Sequence, residues 1–397
     1  MTPKLKKLKN QVIVITGASS GIGLVTARMA AKKGAKLVLA ARSEEALRRL
    51  VEEIRQEGGE ATYLAIDVSE PTAARAIAQK AVATFGGFDT WINNAGVSIY
   101  GKVEEVPIED MRQLFEVNFW GLVHGSLEAA KHLKQKGGAI INVGSILSDI
   151  TAILQTIYSA SKHAVKGFTD GLRMELEMDG APVSVTLIQP AAIDTPYPVH
   201  AKNYMEREAK HAPPAYAPET VARAILYACT RPERSIVVGG GGRAFISMEQ
   251  WTPRLLDKFM ETAFVKQEKA DYAPRPLHQN ALDKPMGNLE ERGNYPGSTR
   301  ETSFYTQAVT SKSPVLKTAL AVGAGLALAT WLSKNRQAGG NGGTGTRTVY
   351  PEGYTPNRAG AGRTSPLASA ATASSSHDYD ATGHDHRYAE ARRDDLP

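Results

Sequence analysis

Short runs of β-branched and other apolar residues alternate with amphipathic stretches over the first 250 residues of the chain. Between Glu44 and Gln56, apolar residues recur at the three- and four-residue spacing that places them on one helix face. Such alternation predicts a doubly wound α/β fold, in which helices cover both faces of a parallel sheet. We expect residues 10–250 to form one domain. The predicted strands are Val12–Thr16, Leu37–Ala40, Thr62–Ile66, Thr90–Asn93, Ala139–Val143, Val183–Ile188 and Ile236–Val238.

The regular alternation ends near residue 250. Trp251–Lys269 predicts a further helix, and most of the chain that follows it is rich in proline, asparagine, glycine and charged residues. We interpret residues 251–314 as an irregular C-terminal extension that wraps the domain. Residues 337–397 contain too few large apolar side chains to offset the entropy lost on ordering, so a disordered tail is predicted there.

Residues 315–332 form an apolar run between these two zones. As a helix the run would be about 27 Å long, slightly short of the roughly 30 Å hydrocarbon core of a bilayer. Basic residues flank both ends and Trp331 lies near one of them, as in short membrane spans. The alternative is a helix rich in alanine and glycine that docks on the domain or on a partner, because Lys317 lies inside the run.

Charge and cysteine content exclude several classes of protein. The chain has 397 residues, a net charge of +6 and one cysteine, Cys229. A single cysteine excludes an intramolecular disulfide and a cysteine-based metal site, and no metal is expected. The basic residues are spread out without interleaved aromatic residues, so no nucleic-acid partner is expected. The run Val12–Ile15 is too short for a signal peptide, which predicts a cytoplasmic protein, membrane-associated if residues 315–332 anchor it.

A glycine-rich segment follows the first predicted strand and opens a predicted helix, Leu24–Lys33. Glycines allow a tight turn and close approach to a pyrophosphate, and the helix N-terminus offers free N–H groups and a positive dipole end. A strand, a glycine-rich turn and a helix in this order predict a dinucleotide-binding site. The residues expected to bind the cofactor here are Gly17, Ser19, Ser20, Gly21, Ile22 and Gly23.

The end of the second predicted strand bears on which dinucleotide is bound. Sites that prefer NAD carry an acidic residue near this point, which binds the ribose 2′-hydroxyl. This chain has none before Glu44, whereas Arg42 could bind a 2′-phosphate, with Ser43 donating a hydrogen bond. We therefore expect NADP(H), with NAD as the alternative if Arg42 is only a surface residue.

Two further strand ends carry candidate cofactor contacts. Asp67, followed by Val68, could accept a hydrogen bond from an adenine amino group, or it could cap the next helix. Asn94, Ala95 and Gly96 follow the fourth predicted strand, in a small-residue segment that would leave room for the cofactor. An ordinary strand-to-loop turn is the alternative for this second motif.

Tyr158 and Lys162 are four residues apart, so on a helix they would share a face. A free tyrosine has a pKa near ~10, and an adjacent cation stabilises the phenolate and lowers that pKa. The pair could then donate or accept a proton near neutral pH. Tyrosine and lysine at this spacing also occur on helix surfaces without any chemical role.

Together and in this order, the motifs resemble those of the short-chain dehydrogenase/reductase family, in its single-domain Rossmann branch. The resemblance covers about residues 10–245. It implies an NAD(P)-dependent oxidoreductase that interconverts a carbonyl and a secondary alcohol. The residues that carry it are Gly17–Gly23, Asn93–Gly96, Asn118–Gly121, Ser145, Tyr158 and Lys162.

The family resemblance also implies roles for individual residues. Tyr158 would be the general acid in carbonyl reduction and the base in alcohol oxidation, while Lys162 would lower its pKa and bind the nicotinamide ribose. Ser145 would hydrogen-bond the substrate oxygen, and Asn118 would hold a water that links Lys162 to solvent. Enzymes of the family often pair through the helix after Asn118 and the helix that carries Tyr158, so a homodimer or homotetramer is expected.

Two positions depart from the family pattern. Pro190 is followed by Ala191 where glycine is usual, which predicts altered loop flexibility. Gly144 precedes the catalytic serine where the family often has another serine, which predicts a slight change in the pocket floor. Ile193 and Thr195 follow the family pattern, in which the threonine binds the nicotinamide carboxamide, and they join Pro190 as expected cofactor contacts.

Part of the substrate pocket is expected between residues 194 and 217, which are rich in proline and tyrosine. Aromatic and apolar side chains there favour an apolar alcohol or ketone as the small-molecule substrate. The candidate pocket residues are Ile146, Leu147, Gln155 and Tyr197. The alternative to an enzyme is a non-catalytic dinucleotide-binding regulator or membrane-associated scaffold, although such a protein has no need of all four catalytic residues.

Overall fold

A seven-stranded parallel sheet forms the centre of the computed structural model, which describes residues 3–293 and 299–311. In chain order the strands of the described residues are β1 (Val12–Thr16), β2 (Lys36–Ala41), β3 (Ala61–Ala65), β4 (Thr90–Asn93), β5 (Ile99–Tyr100), β6 (Gly138–Val143), β7 (Val183–Pro190), β8 (Lys202–Asn203), β9 (Ala215–Tyr216), β10 (Ser235–Val238) and β11 (Thr299–Arg300). The large sheet has the order β10-β7-β6-β4-β1-β2-β3. Because the winding reverses between β1 and β4, their carboxyl ends open a crevice where sheets of this class bind ligands.

Helices cover both faces of this sheet. In chain order the helices of the described residues are α1 (Gly21–Ala31), α2 (Glu44–Gln56), α3 (Ala73–Phe85), α4 (Ile108–Phe115), α5 (Gly121–Leu133), α6 (Thr156–Met178), α7 (Tyr197–His200), α8 (Pro218–Ala228), α9 (Gly240–Trp251), α10 (Pro253–Phe259), α11 (Val265–Gln267) and α12 (Phe304–Val309). Side chains of α1, α2 and α8 pack on one face with Ile13 and Ile15, and those of α3, α5 and α6 pack on the other face with Val14. The predicted doubly wound α/β fold of Rossmann type is therefore confirmed.

The predicted helix Trp251–Lys269 is largely confirmed, because helical backbone runs without a break from Pro253 to Gln267, with a π-helical turn inside it. α9 ends at Trp251, α10 begins at Pro253, and a π-helical turn, Met260–Phe264, leads into α11. A proline disfavours helical backbone at the residue before it, and Thr252 accordingly has a φ of −144° and a ψ of 59°. The chain therefore turns at this point, and α10 contacts α9 instead of extending it.

Two short pairings fasten the extension to the sheet domain. β11 pairs in parallel with β9, and Ala209 forms an isolated antiparallel bridge with Lys269. Backbone bonds add to this bridge, since Lys210 N donates to Glu268 O at 2.9 Å. The extension therefore returns to the same segment, between α7 and α8, from two directions.

Two predictions about the C-terminal part concern residues outside the described ranges. The apolar run 315–332 and the tail 337–397 both lie there, so neither is tested. Among residues 3–293 and 299–311, no helix has the length and apolar character needed to cross a bilayer. The domain boundary at residue 250 also stays a prediction.

Candidate active site

The glycine-rich loop connects β1 to α1 at the crevice. A Cβ atom on Gly23 would lie 2.1 Å from Gly17 O, so only glycine allows this close return of the chain. Gly17 has a φ of +68°, in the left-handed region that favours glycine. The Asn94 side chain donates to Thr16 O and Gly17 O, each at 3.0 Å, and ties the loop to the end of β4.

A cleft of about 190 Å³ runs across the carboxyl ends of β1, β2, β3 and β4. Most of the predicted cofactor residues line it, namely Gly17, Ser19, Ser20, Gly21, Ile22, Arg42, Ser43, Asp67, Val68, Asn94, Ala95, Gly96 and Thr195. The others lie close by: Gly23 forms the turn beside the cleft, and Tyr158, Lys162, Pro190 and Ile193 line the adjoining cavity. The structure thus brings the predicted cofactor residues to one edge of the sheet.

Arg42 and Asp67 face each other in this cleft, with Arg42 Nη1 3.6 Å from Asp67 Oδ2. Asp67 Oδ1 accepts hydrogen bonds from the backbone N (3.0 Å) and the hydroxyl (2.8 Å) of Ser69. Asp67 therefore stabilises the turn after β3. The Arg42 guanidinium donates to the backbone carbonyls of Ala281 and Leu282, which hold it at the cleft.

Residues 281–291 of the extension, here named the strap, cross the cofactor cleft beside the glycine-rich loop. Gly21 N donates to Glu290 O at 2.8 Å. A Cβ atom on Gly287 would lie 2.1 Å from Ser19 Oγ, so the strap touches the loop directly. Sequence reasoning missed this contact, because nothing near either partner indicates a segment so distant along the chain.

Tyr158, Lys162 and Ser145 meet where the cleft adjoins a second cavity. α6 places Tyr158 and Lys162 one turn apart, as predicted, with Lys162 Nζ 5.6 Å from the centroid of the Tyr158 ring. Lys162 Nζ donates to Val143 O at 3.0 Å. Ser145 Oγ accepts from Leu147 N at 3.0 Å, and the Ser145 side chain also hydrogen-bonds Tyr158. All three catalytic candidates are buried.

Burial decides the protonation of this pair. It raises the pKa of Tyr158 to about 12, although hydrogen bonds from Tyr197 and Ser145 oppose the rise. It lowers the pKa of Lys162 to about 8. Removal of the phenolate from water is the largest cause of this shift, and the expected lowering of the Tyr158 pKa by Lys162 stays a prediction. Tyr158 therefore holds its proton at neutral pH.

Asn118 lies fully buried in a π-helical turn, Glu116–Trp120, between α4 and α5. Its side chain donates to Val97 O at 3.0 Å and accepts from Val97 N at 2.8 Å. It also donates to Ser161 Oγ at 3.2 Å. Asn118 therefore fixes the loop after β4 against α6, while its part in a proton relay stays a prediction.

A mostly apolar chamber of about 190 Å³ adjoins the cleft at Asn94 and Gly96. All four predicted pocket residues, Ile146, Leu147, Gln155 and Tyr197, line it. His211, Pro213 and Pro214, from the expected pocket segment 194–217, line it as well. The later part of the chain supplies further lining residues that sequence reasoning missed: Gly241, Gly242, Phe245, Phe264 and Glu268. These five residues share no motif, so only the folded chain shows that they meet.

The two departures from the family pattern fit their surroundings. A Cβ atom on Gly144 would lie 2.9 Å from Leu187 Cδ1, so a serine here would require the floor of the chamber to shift. A Cβ atom on Gly239 or on Gly242 would lie 3.0 Å from the Ala191 methyl group. Glycines at those two positions therefore make room for alanine at position 191.

Several known proteins similar to this chain are described as oxidoreductases or dehydrogenases. A family model described as short chain dehydrogenase matches residues 11–205. The "Uncharacterized oxidoreductase YxnA" of Bacillus subtilis is 45% identical over 336 residues, which cover 84% of this chain and 93% of the relative. A match of that extent necessarily includes the extension. The "Putative oxidoreductase SadH" of Mycobacterium tuberculosis is 32% identical over 248 residues, 59% of this chain and 88% of that one.

Two solved structures share the fold and contain a dinucleotide. An alcohol dehydrogenase from Thermococcus sibiricus, complexed with 5-hydroxy-NADP, is 27% identical with a TM-score of 0.51 and covers 57% of this chain and 95% of its own. A short-chain dehydrogenase/reductase from Burkholderia phymatum, in complex with NAD, is 28% identical with a TM-score of 0.56, covering 68% and 99%. Motifs, fold and relatives agree, and this chain belongs to the short-chain dehydrogenase/reductase family of oxidoreductases.

Proposed function

We propose that the protein is an NADP(H)-dependent oxidoreductase that interconverts a carbonyl and a secondary alcohol on an apolar small molecule. The observation that carries this proposal is the buried cluster of Tyr158, Ser145 and Lys162 on the wall of a mostly apolar chamber that adjoins the cofactor cleft. A substrate oxygen in the chamber would meet a phenol and a hydroxyl group at this cluster. Such a pair of donors suits the protonation of a developing alkoxide.

Glycines keep the cleft open where the dinucleotide is proposed to bind. The glycine-rich loop turns tightly, and a Cβ atom on Gly96 would lie 3.3 Å from Asn118 Oδ1 and 3.8 Å from Lys162 Nζ, so glycine leaves the cleft open between these two side chains. A bound nicotinamide cofactor supplies or accepts the hydride. Tyr158, neutral below a pKa of about 12, donates the proton to the carbonyl oxygen in the reducing direction, while Ser145 hydrogen-bonds the same oxygen.

The choice of NADP(H) rests on the end of β2. Arg42 lines the cleft, the strap carbonyls hold its guanidinium there, and Ser43 follows as the residue before α2. A guanidinium and a hydroxyl group in this position suit a 2′-phosphate. Asp67 lies 3.6 Å from Arg42, so its carboxylate partly offsets the positive charge that the 2′-phosphate would meet. Arg42 remains the group proposed to bind this phosphate.

Fluorescence titration of NADPH and NADH tests the cofactor assignment. NADPH should bind more tightly than NADH, and Arg42→Ala should weaken NADPH binding by about tenfold or more, since a hydrogen bond to a charged group contributes roughly 1.5–3 kcal/mol. NADH binding should barely change. Arg48→Ala, at an exposed position of α2, is the matched control. Equal binding of both dinucleotides to the wild type would overturn the assignment.

A panel of apolar ketones tests the reaction itself. Ketone-dependent oxidation of NADPH should be measurable with the wild type. It should fall to background in Tyr158→Phe, because phenylalanine keeps the ring and lacks the proton. Turnover that survives this substitution would contradict the assigned role of Tyr158. Absence of turnover with every ketone, despite tight NADPH binding, would favour the non-catalytic alternative.

We also propose that copies of the chain assemble through α5 and α6. Of the apolar residues of α5, Leu122 and Val123 are buried within the chain, whereas Leu127 is 51% exposed. Met174 of α6 is 56% exposed. Light scattering should return a dimer or tetramer mass, and Leu127→Asp should shift it towards the monomer. A monomer mass for the wild type would contradict this assembly.

A further inference from the structure

A carboxyl group lies on the wall of the substrate chamber. Glu268, in the extension, is 2% exposed, and its Oε1 accepts a hydrogen bond from Gln155 Nε2 at 2.6 Å. Its Oε2 is buried and has no hydrogen-bond partner among the residues that the structure describes. Buried polar atoms in native proteins are nearly always satisfied, so an open oxygen beside a cavity marks a position where a ligand can supply the missing bond.

A short series of side chains separates Glu268 from the catalytic phenol. Gln155 Oε1 accepts a hydrogen bond from Tyr197 OH at 3.0 Å. The Tyr197 ring in turn lies edge-on to the Tyr158 ring, with 5.5 Å between their centroids. Glu268 and Tyr158 thus line the same chamber at two separate positions, linked along its wall by the side chains of Gln155 and Tyr197. One substrate can therefore meet Tyr158 with its reacting oxygen and Glu268 with another group.

The backbone fixes Glu268 in this position. Glu268 O accepts from Lys210 N at 2.9 Å, and Lys269 pairs with Ala209. Burial raises the pKa of Glu268 to about 8, so the carboxyl is mainly protonated at neutral pH. A protonated carboxyl offers one O–H donor as well as acceptor oxygens. It therefore suits an uncharged hydroxyl or carbonyl better than an anion.

We propose that Glu268 is a specificity-determining residue that hydrogen-bonds a second, uncharged oxygen of the substrate. The substrate class is then an apolar ketone or alcohol that carries a further hydroxyl or carbonyl group. The chamber holds about 190 Å³, somewhat more than an engineered cavity of about 150 Å³ that binds benzene, so a molecule of one or two rings fits. This inference rests on the proposed function, because it assigns the substrate of the same site.

Two bicyclic ketones serve as the probes: 2-decalone, and a 2-decalone with a hydroxyl on the far ring. kcat/KM is measured with NADPH, and Kd is measured for each ketone on the enzyme loaded with NADP+, which cannot reduce it. The wild type should prefer the hydroxyketone, and Glu268→Leu should reduce this preference by about tenfold while turnover of 2-decalone stays within about threefold. Glu268→Gln keeps a donor and an acceptor, so it should retain the preference. Phe264→Leu, on the same wall, should change both probes alike.

Each contrary result overturns the proposal in a different way. Equal loss on both probes in Glu268→Leu would make Glu268 a support for Tyr197 or for the fold. If the wild type shows no preference between the two probes in kcat/KM or in Kd, the enzyme does not recognise a second oxygen. This measurement needs only the wild type, so it is valid even if the leucine variant fails to fold. Tighter binding of the corresponding amino ketone, lost in Glu268→Gln, would indicate a carboxylate that binds cations.

Failure of the proposed function would look different. In that case 2-decalone would not be reduced, or its reduction would survive Tyr158→Phe. The Kd ratio of the two probes would still decide whether Glu268 recognises the hydroxyl. Reduction that depends on Tyr158, combined with equal Kd and kcat/KM for both probes, would leave the oxidoreductase intact and refute only the role of Glu268.

Discussion

The cofactor cleft and the substrate chamber share five lining residues, Asn94 and Gly96 among them, but most of each lining comes from a different part of the chain. Most of the cleft consists of short loops that directly follow β1, β2, β3 and β4. Much of the chamber wall comes from segments beyond residue 190, including Phe264 and Glu268 of the extension. The cleft is thus specified by local motifs, and the chamber by contacts between distant segments. The cofactor motifs can therefore be recognised from sequence, whereas most of the chamber lining cannot.

Removing the Tyr158 hydroxyl should give the largest effect and tests whether the two cavities act as one site. Tyr158→Phe keeps the ring against Tyr197 but loses the proton, so kcat should fall ~10²–10⁴-fold while the Kd of NADPH stays within about threefold. Steady-state kinetics and fluorescence titration measure the two quantities. Tyr227→Phe, on α8 and outside both linings, should leave both unchanged. A parallel loss of cofactor binding would show that the cavities are not separable.

The pH dependence of stability tests the burial of Glu268, which lines the chamber and not the cleft. The pKa of Glu268 rises on folding from 4.5 to about 8, so the folded state keeps a proton that the unfolded chain releases. The wild type should therefore lose stability as pH rises from 4.5 towards 8, whereas Glu268→Gln does not titrate at this position. The Tm of the variant minus that of the wild type should grow over this range. A constant difference from pH 4 to pH 9 would show that Glu268 ionises normally.

The titrating histidines provide an internal check on that comparison. Burial lowers the pKa values of His200 and His211 to about 4, so both destabilise the folded protein as pH falls below 6.5. This acid effect is present in the wild type and in Glu268→Gln alike. It should cancel in the difference between their Tm values, which leaves the contribution of Glu268.

A smaller effect is expected at the strap. Gly287→Ala would place a methyl group 2.1 Å from Ser19 Oγ, and overpacking of this kind costs about 1–3 kcal/mol. Urea denaturation should therefore give a lower free energy of unfolding for Gly287→Ala than for the wild type. An unchanged free energy of unfolding would mean that the strap does not press on the glycine-rich loop.

Strands, helices and turns that are determined by neighbouring residues were predicted well. β1 and β4 have the predicted bounds, and α2 covers the predicted Glu44–Gln56, because period-two and period-3.6 patterns are set by neighbouring residues. The pairing of Tyr158 with Lys162 on one helix face follows from the same local geometry. The glycine-rich loop lies at the crevice because it connects the carboxyl end of β1 to the start of α1.

Features that depend on burial or on distant segments were predicted poorly. The spacing of Tyr158 and Lys162 does not reveal that both are buried, so the rise of the Tyr158 pKa through burial could not be predicted. Glu268 lies on the chamber wall only because the segment around Lys210 binds its backbone. The break before Pro253, in contrast, was visible in the sequence, because proline favours the first position of a helix and the predicted helix should therefore have begun there.

The contact between strap and loop also sets the order of events during synthesis. Leu289 donates to Ser19 O and Glu290 accepts from Gly21 N, so the loop after the first strand receives its last partners from residues near 290. Domains generally fold from the N-terminal end as the chain leaves the ribosome. The sheet can therefore assemble first, and the cofactor site, although it begins at the first strand, is completed only once the extension has been translated.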